Sequence, residues 1–504
     1  MTKYLSGLLL TLLYITFSTA QNITGTVVDF ETGEKLPSAT IEFNGESIIS
    51  NSEGSFTIYT ANAENADITV SYLGYFNTSL SISELISNNN TVKLKPGVFE
   101  LDNLNISNKV LDAESIMAAV KENLTKNHAS STTEPLKSTI FFRESETYSP
   151  KRLNIKLNKS EAYKSKAEKD NANAELKEFT EKLLSNPPKE FTEMLCNNYT
   201  AIKHINNKST LIPKFEVLKA VKIKDVNRPV ALEDLQKSTF KILYKHIDST
   251  KHYRVKSGLF GTRDTVLSSK KQNKALFQDT KNLADAQSKI IYFTYRNNIF
   301  SSRFDFINKI ELYNYSLERT IPSGNDEYVY VIKFSPKKSK AKYTGTLYIS
   351  ETDYAVIKAD YILSEGKKIS GVNLKFLLGI KQSENASKGT LLFKKREFGS
   401  GYYLKYATEE TGQYIYVNRP LKFIEIKKGK KESASFDLKV ETNHSIKEEY
   451  LIVNQAKITE AEFDKVKRTE FDYNYLQGYG ADTWKEYNII EPLEEMKNYK
   501  VLEE

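Results

Sequence analysis

Ile23-Thr24-Gly25-Thr26-Val27-Val28-Asp29 reads as a strand, Thr32-Gly33-Glu34 as a turn, and Ala39-Thr40-Ile41-Glu42-Phe43 as a second strand with one apolar face. Asn51-Ser52-Glu53-Gly54 supplies the next turn, with Gly54 free to take a positive φ. Ser55 to Tyr59 and Ile68 to Tyr72 continue the alternation. Short strands at this spacing, punctuated by turn residues, predict a sandwich or barrel over residues 22–95.

Four of these segments occur in a characteristic order. They are Ile23 to Asp29, Thr32-Gly33-Glu34-Lys35-Leu36-Pro37-Ser38-Ala39-Thr40-Ile41, Glu53-Gly54-Ser55-Phe56, and Val70-Ser71-Tyr72-Leu73-Gly74-Tyr75. Together they resemble the carboxypeptidase-regulatory-like domain. The resemblance implies a transthyretin-like, seven-stranded β-sandwich. That domain also precedes the plug of many TonB-dependent outer-membrane receptors of Gram-negative bacteria. In carboxypeptidases it is an appendage and does not itself hydrolyse peptides. Three later stretches resemble a family of envelope proteins described only as carboxypeptidase-like regulatory domain-containing: Phe141-Phe142-Arg143-Glu144 after its helix, Gly345 to Ile349 with Asp353 to Ile357, and Trp484 to Pro492. No chemistry comes with those matches.

Ahead of the sandwich stands a basic Met1 to Lys3, an apolar run from Leu5 to Phe17 and the small residues Ser18, Thr19 and Ala20. This is the form of a secretory signal peptide over residues 1–20, with cleavage after Ala20. The apolar run is short for a bilayer span, and no later window approaches the ~20 apolar residues a membrane helix requires. The expected location is therefore exported, and the resemblance implies the periplasm or an association with the outer membrane. The lone Cys196 excludes an intramolecular disulfide, and a buried, small apolar role suits it. Aromatics favour sheet: 31 Tyr and 26 Phe against one Trp.

The net charge of +8 falls to +7 when Lys3 is removed with the signal, and it is dispersed along the chain. The runs Lys427-Lys428-Gly429-Lys430-Lys431 and Lys337-Lys338-Ser339-Lys340 read as solvated hairpin tips in preference to a surface for anionic lipid or polysaccharide. No aromatic interleaving accompanies them, so nucleic acid is not an expected partner.

Residues 96–110 read as an Asn-rich linker opening on Pro96-Gly97, and 111–235 as a mixed helical region. A helix is predicted from Asp112, with Ile116, Met117, Val120 and Leu124 on one face and Asp112 or Ser115 as cap. A second is predicted over 171–184, carrying Leu176, Phe179 and Leu183 and stopped by Pro187-Pro188. Thr139 to Glu144 reads as an edge strand on which Arg143 and Glu144 form a structural ion pair. Residues 236–450 alternate as an antiparallel sheet: Ala355, Ile357, Ala359 and Tyr361; Val372, Leu374 and Phe376; Phe436, Leu438 and Val440. Tyr328 to Phe334 is apolar enough for burial on both sides. Residues 451–504 form a C-terminal tail with short helices. The predicted class is mainly β with some α: the seven-stranded sandwich followed by an α+β body with a large twisted antiparallel sheet. A membrane barrel fits the charged strand faces poorly.

The five histidines, His128, His204, His246, His252 and His444, make no H-E-x-x-H or H-x-x-E spacing. His246 and His252 flank a turn in which Asp248 would be a third metal ligand, and two exposed turn histidines is the preferred reading. No G-x-S-x-G and no G-x-x-x-x-G-K-[ST] occurs, and Gly399-Ser400-Gly401 reads as a hairpin turn. No catalytic, cofactor-binding or metal residue is assigned, no cofactor is expected, and the chain is read as not an enzyme. The expected function is a non-catalytic envelope protein that binds or scaffolds through its β-sandwich adaptor, with an envelope protein or cell-surface component as partner. The alternative is a carrier of a lipid or other apolar ligand in a cavity wrapped by a curved, aromatic-rich sheet.

Overall fold

The computed structural model describes residues 22–60, 66–97, 112–129, 134–161, 163, 165–187, 189–205, 208–223, 243, 245–247, 251–257, 260–267, 282–323, 327–427, 429, 432–480 and 482–499. The signal sequence, most of the linker, Asp248, Pro188 and three lysines of the 427–431 run lie outside them. The chain divides into two compact units. The first takes the described residues of Met1–Glu100, Ile321–Glu327 and Gly480–Lys497, and the second takes the rest.

The first unit is a seven-stranded β-sandwich. Its strands are β1 (Asn22–Asp29), β2 (Thr40–Phe43), β3 (Glu46–Ile49), β4 (Ser55–Tyr59), β5 (Asp67–Ser71), β6 (Thr78–Ser81) and β7 (Thr91–Leu94), with the short helix α1 (Ile82–Ser87). One sheet runs β4-β1-β7 and the other β3-β2-β5-β6. Alternation decides which side chains fill the space between them. Ile23 and Val27 of β1, Ile41 and Phe43 of β2, Phe56 and Ile58 of β4, and Ile68 and Val70 of β5 are all buried. Gly54 takes φ 72° in its turn, as its sequence context requires. Gly25 answers to a different constraint: a Cβ there would stand 2.6 Å from Phe56 Cζ and 2.9 Å from the Asn90 carbonyl oxygen.

The predicted boundary at residue 95 is too early. Pro96 bridges to Tyr75, and the Gly97 N–H donates to the Gly74 carbonyl. The predicted tail also gives its residues 480–497 to this unit. Asn51 Nδ2 donates to the Glu491 carbonyl, Thr57 Oγ1 to Glu491 Oε2, and the Tyr59 N–H to Asn488 Oδ1. Local sequence cannot show such partners, because they lie more than 400 residues apart.

The second unit is built on one 14-stranded sheet. In chain order its elements are α2 (Ala113–His128), β8 (Leu136–Ser160), α3 (Lys166–Ser185), β9 (Lys189–Ile205), β10 (Lys208–Ile223), β11 (Tyr253–Ser257), β12 (Phe260–Leu267), α4 (Asn282–Arg296), α5 (Asp305–Asn308), β13 (Tyr313–Pro322), β14 (Tyr328–Pro336), β15 (Tyr343–Ser350), β16 (Val356–Leu363), β17 (Ser370–Leu374), α6 (Lys375–Leu378), β18 (Ile380–Lys395), β19 (Tyr402–Glu425), β20 (Ser433–Lys457), α7 (Glu460–Lys465) and β21 (Asn474–Leu476). A last helix, α8 (Glu494–Lys497), belongs to the first unit. The sheet path is β13-β14-β15-β16-β18-β19-β20-β8-β9-β10-β21, open among the described strands at β13 and β21. From β14 to β10 every neighbouring pair is antiparallel, and β21 joins β10 in parallel.

The mixed helical region expected over 111–235 is therefore corrected. Its strands β8, β9 and β10 sit in the same sheet as β13 to β20, so no domain boundary falls at residue 235. The reason is visible in β9, where Glu190, Thr192 and Glu193 are buried beside Phe191 and Met194. Buried charges break the apolar alternation by which a strand is recognised. The helices match better. Asp112 caps α2 through the Ser115 N–H at 2.6 Å, and Ile116, Met117, Val120 and Leu124 are buried. Ser165 and Glu168 form a capping box at the start of α3, which buries Leu176 with Ala172 and Thr180. Phe376 is displaced from its expected strand face. Gly379, at φ 65°, terminates the single helical turn α6 and leaves Phe376 fully exposed.

Tyr and Phe fill the core of this unit by packing on one another. Phe306 stacks on Phe334 at 4.3 Å and meets Tyr343 and Tyr361 at 5.9 Å each, while Phe304 contacts Tyr361 at 5.5 Å. These rings fill this part of the core.

Candidate functional site

The sheet presents three glutamates in one row. Glu409 of β19 pairs with Glu448 of β20, which pairs with Glu144 of β8. Such a row would repel itself unless neutralised. Helix α4 neutralises it. Lys289 reaches Glu144 at 2.5 Å, and Arg296, two turns further along, reaches both Glu448 and Glu409. Arg303 also pairs with Glu409, and Asn297 Nδ2 donates to it at 3.1 Å. Burial raises the Glu448 carboxyl above the ordinary range and Glu144 adds to the rise, while Arg296 opposes it. Apolar contacts complete the docking, with Phe293 meeting Phe142 at 5.6 Å. Three carboxylates matched by three cations hold a helix on a sheet, and none of the three is left to act on a substrate.

The expected Arg143–Glu144 pair does not form, and β8 is not an edge strand. Adjacent strand residues face opposite sides. Glu144 joins the row just described, and Arg143 points to the other face between β9 and β20. There its guanidinium meets Glu193 at 2.7 Å and Glu449 at 3.2 Å, with Arg143 itself 1% exposed.

One cleft of about 340 Å³ in this unit differs in kind. Among its lining residues are His128 at the end of α2, Asn198 of β9, Asn297 just after α4 and Arg396 just after β18, together with Phe393, Leu404, Tyr450 and Ile452. His128 Nε2 accepts the Val356 N–H at 3.2 Å, so its proton sits on Nδ1, and Nδ1 has no protein partner. Asn198 Oδ1, Asn297 Oδ1 and Arg396 Nε are likewise buried without a protein partner. Burial drives the His128 pKa down to about 4, with Asp353 opposing and Arg396 assisting. Burial also lowers the Arg396 pKa. The Arg396 guanidinium lies over the Tyr403 ring at 5.7 Å. Buried polar groups are ordinarily bonded, and here four unpartnered buried atoms belong to residues that line one cleft. A larger hollow of about 430 Å³ on β13 to β15 lacks this feature, since its Lys333 is paired with Glu318 at 2.7 Å.

The family model described as the CarboxypepD_reg-like domain matches residues 23–106. The chain carries a carboxypeptidase-regulatory-like domain. Apart from Asn22, the seven strands of the first unit fall within the matched span, and the sheet unit with its cleft lies almost wholly outside it. No curated protein matches the chain. Two solved structures are similar to it at a low level. One is a protein of unknown function from Bacteroides fragilis NCTC 9343, described as membrane-associated: 12% identity, 40% of this chain and 96% of that one covered, TM-score 0.12. The other is the MucA/MucB complex of Pseudomonas aeruginosa: 5% identity, 64% and 91% covered, TM-score 0.14. Scores at that level carry no argument about fold or function.

Beyond the carboxypeptidase-regulatory-like domain, the structure scatters the histidines. His246 is buried, its Nδ1 2.6 Å from the Tyr163 hydroxyl, while His252 is exposed. The expectation that both are exposed turn residues fails for His246. His444 bonds Glu146 at 2.8 Å and stacks on Tyr148, and His204 sits exposed at the end of β9. Among the described residues no three His, Cys, Asp or Glu side chains gather as a metal site, and no helix is long and apolar enough to cross a membrane. Cys196 is fully buried in the core, where burial raises its thiol pKa. The cleft residues were not singled out from sequence. His128 did carry a signal: it extends the Val120–Leu124 stripe by four more residues onto the buried face of α2. Arg396 carried none.

Proposed function

We propose that this is a non-catalytic, exported protein of the cell envelope that acts as a binding module. In this reading the carboxypeptidase-regulatory-like domain is the adaptor and the cleft at His128 and Arg396 is the receptor site. The observation that carries the reading is the set of four buried polar atoms without protein partners around one apolar-walled cleft. The ionisable groups support the non-catalytic part. The buried carboxylates Glu409 and Glu448 are matched by Arg296, His128 commits Nε2 to a backbone amide, and Cys196 lies in the core. A general base needs a free lone pair near its substrate, and His128 offers the cleft an N–H instead.

The test is co-purification of the mature chain from an envelope fraction, with bound proteins and lipids identified. A stoichiometric species should accompany the chain, and its N-terminus should be Gln21. Met1 on the mature protein would refute export. Peptide turnover, with or without added zinc, that survives repurification would refute the non-catalytic assignment.

A further inference from the structure

Among the described residues Arg396 has no carboxylate partner. Its Nε is buried, its backbone N–H is spent on the Gly401 carbonyl, and its guanidinium rests on Tyr403. The nearby carboxylates are engaged elsewhere. Glu134, on the cleft wall, pairs with Lys457, and Asp353 accepts the Tyr402 hydroxyl and the Ala355 N–H. Arg396 is part-buried, and a bound anion offsets the partial desolvation of its guanidinium. His128 Nδ1–H is a second buried donor in the same cleft. Leu136, Ile299, Leu404 and Ile452 line the rest of the space. Asn198 and Asn297 add acceptors that suit a ligand hydroxyl.

From this arrangement we infer that the cleft binds a small anionic amphiphile, its carboxylate or phosphate head on Arg396 and His128 and its apolar chain along Leu136, Ile299 and Ile452. The volume of about 340 Å³ lies at the low end of ligand pockets, roughly 300–1,000 Å³, and points to one medium-length chain. Charge-assisted bonds to an anion are the strong ones, so the head sets selectivity and the chain supplies most of the contact area.

The inference rests on the cleft being the binding site of the protein. Calorimetric titration of the full mature chain with decanoate, decyl phosphate and decyltrimethylammonium tests it. Both anions, or one of them, should bind, and the better one identifies the head as carboxylate or phosphate. The cation should bind at least about tenfold more weakly. Arg396→Met should weaken the preferred anion by about tenfold or more, while Arg396→Lys retains part of the affinity. Equal binding of anion and cation by the unsubstituted protein overturns the inference, and this arm needs no variant to fold. No binding of either anion overturns it too. An envelope ligand that co-purifies equally with Arg396→Met sinks the anionic-head assignment while leaving the binding reading standing. Absence of any co-purified species sinks the binding reading itself.

Discussion

Replacing Arg143 by Met removes the cation that bridges two buried carboxylates on the strands flanking β8. Glu193 and Glu449 are 1% and 3% exposed, so neither can turn to solvent without opening the sheet face. In the intact protein burial pushes the Glu449 carboxyl upward, and Lys447 and Arg143 outweigh it, leaving its pKa below the ordinary value. Without the guanidinium, Lys447, at 3.5 Å, is the cation that remains beside Glu449 among the described residues. Breaking a buried pair by deleting one partner costs about 3–5 kcal/mol, most of it the penalty of stranding charge. Met replaces much of the apolar stem, so packing against Phe141 contributes little to that figure. The assay is denaturant unfolding of the mature chain, following the transition of the sheet unit, at pH 7.5 and pH 5. Buried carboxylates stranded without a cation are costly to hold ionised in the folded chain, and protonation relieves that cost. Their penalty is therefore largest at high pH and shrinks as they take up protons on acidification. Replacing all three residues with apolar side chains should recover most of the loss. A loss under about 1 kcal/mol at pH 7.5, or one independent of pH, would show that water solvates this face and would refute the reasoning.

Two further outcomes follow from particular contacts. His128 has a folded pKa of about 4 against an ordinary 6.5, so the unfolded chain binds the extra proton between these values. Its contribution is fully present above pH 6.5 and is lost as pH falls toward 4: about 2 kcal/mol by pH 5 and about 3 kcal/mol in all. Thermal melts of the unsubstituted protein and His128→Gln at pH 7.5 and 5 should show a smaller acid-induced loss in the variant, with Asp353 and Arg396 as the charges that face this group. In the sandwich, Phe56→Ala should cost about 3–5 kcal/mol because the ring is fully buried, and Gly25→Ala about 1–3 kcal/mol because its methyl meets that ring. The double variant should cost clearly less than the sum, since the truncated ring makes room for the methyl, and additive losses would refute the contact.

The sandwich was legible because its order is local. Alternation in Ile23 to Asp29, a turn glycine at Gly54 and strands a few residues apart state the fold within each window. Helices α2 and α3 were legible for the same reason, through caps and apolar stripes. The long strands β8 to β10 were not. Arg143, Glu190 and Glu193 are buried there by partners up to 306 residues distant, and a buried charge looks like a surface charge until its partner is placed.

The amino-acid sequence by itself determined the β-sandwich, its turn chemistry, the predominance of strand and the absence of an intramolecular disulfide. These follow from periodicity, backbone preference and the single cysteine, which act within a few residues. Only the tertiary structure decided that residues 480–497 complete the first unit, that one sheet crosses the whole second unit, and that Arg396 and His128 share a cleft. Those outcomes depend on which distant groups are desolvated together. The energy of a desolvated charge or amide depends on its neighbours in space, and adjacent residues on a strand face opposite sides, so neighbours in sequence do not reveal them.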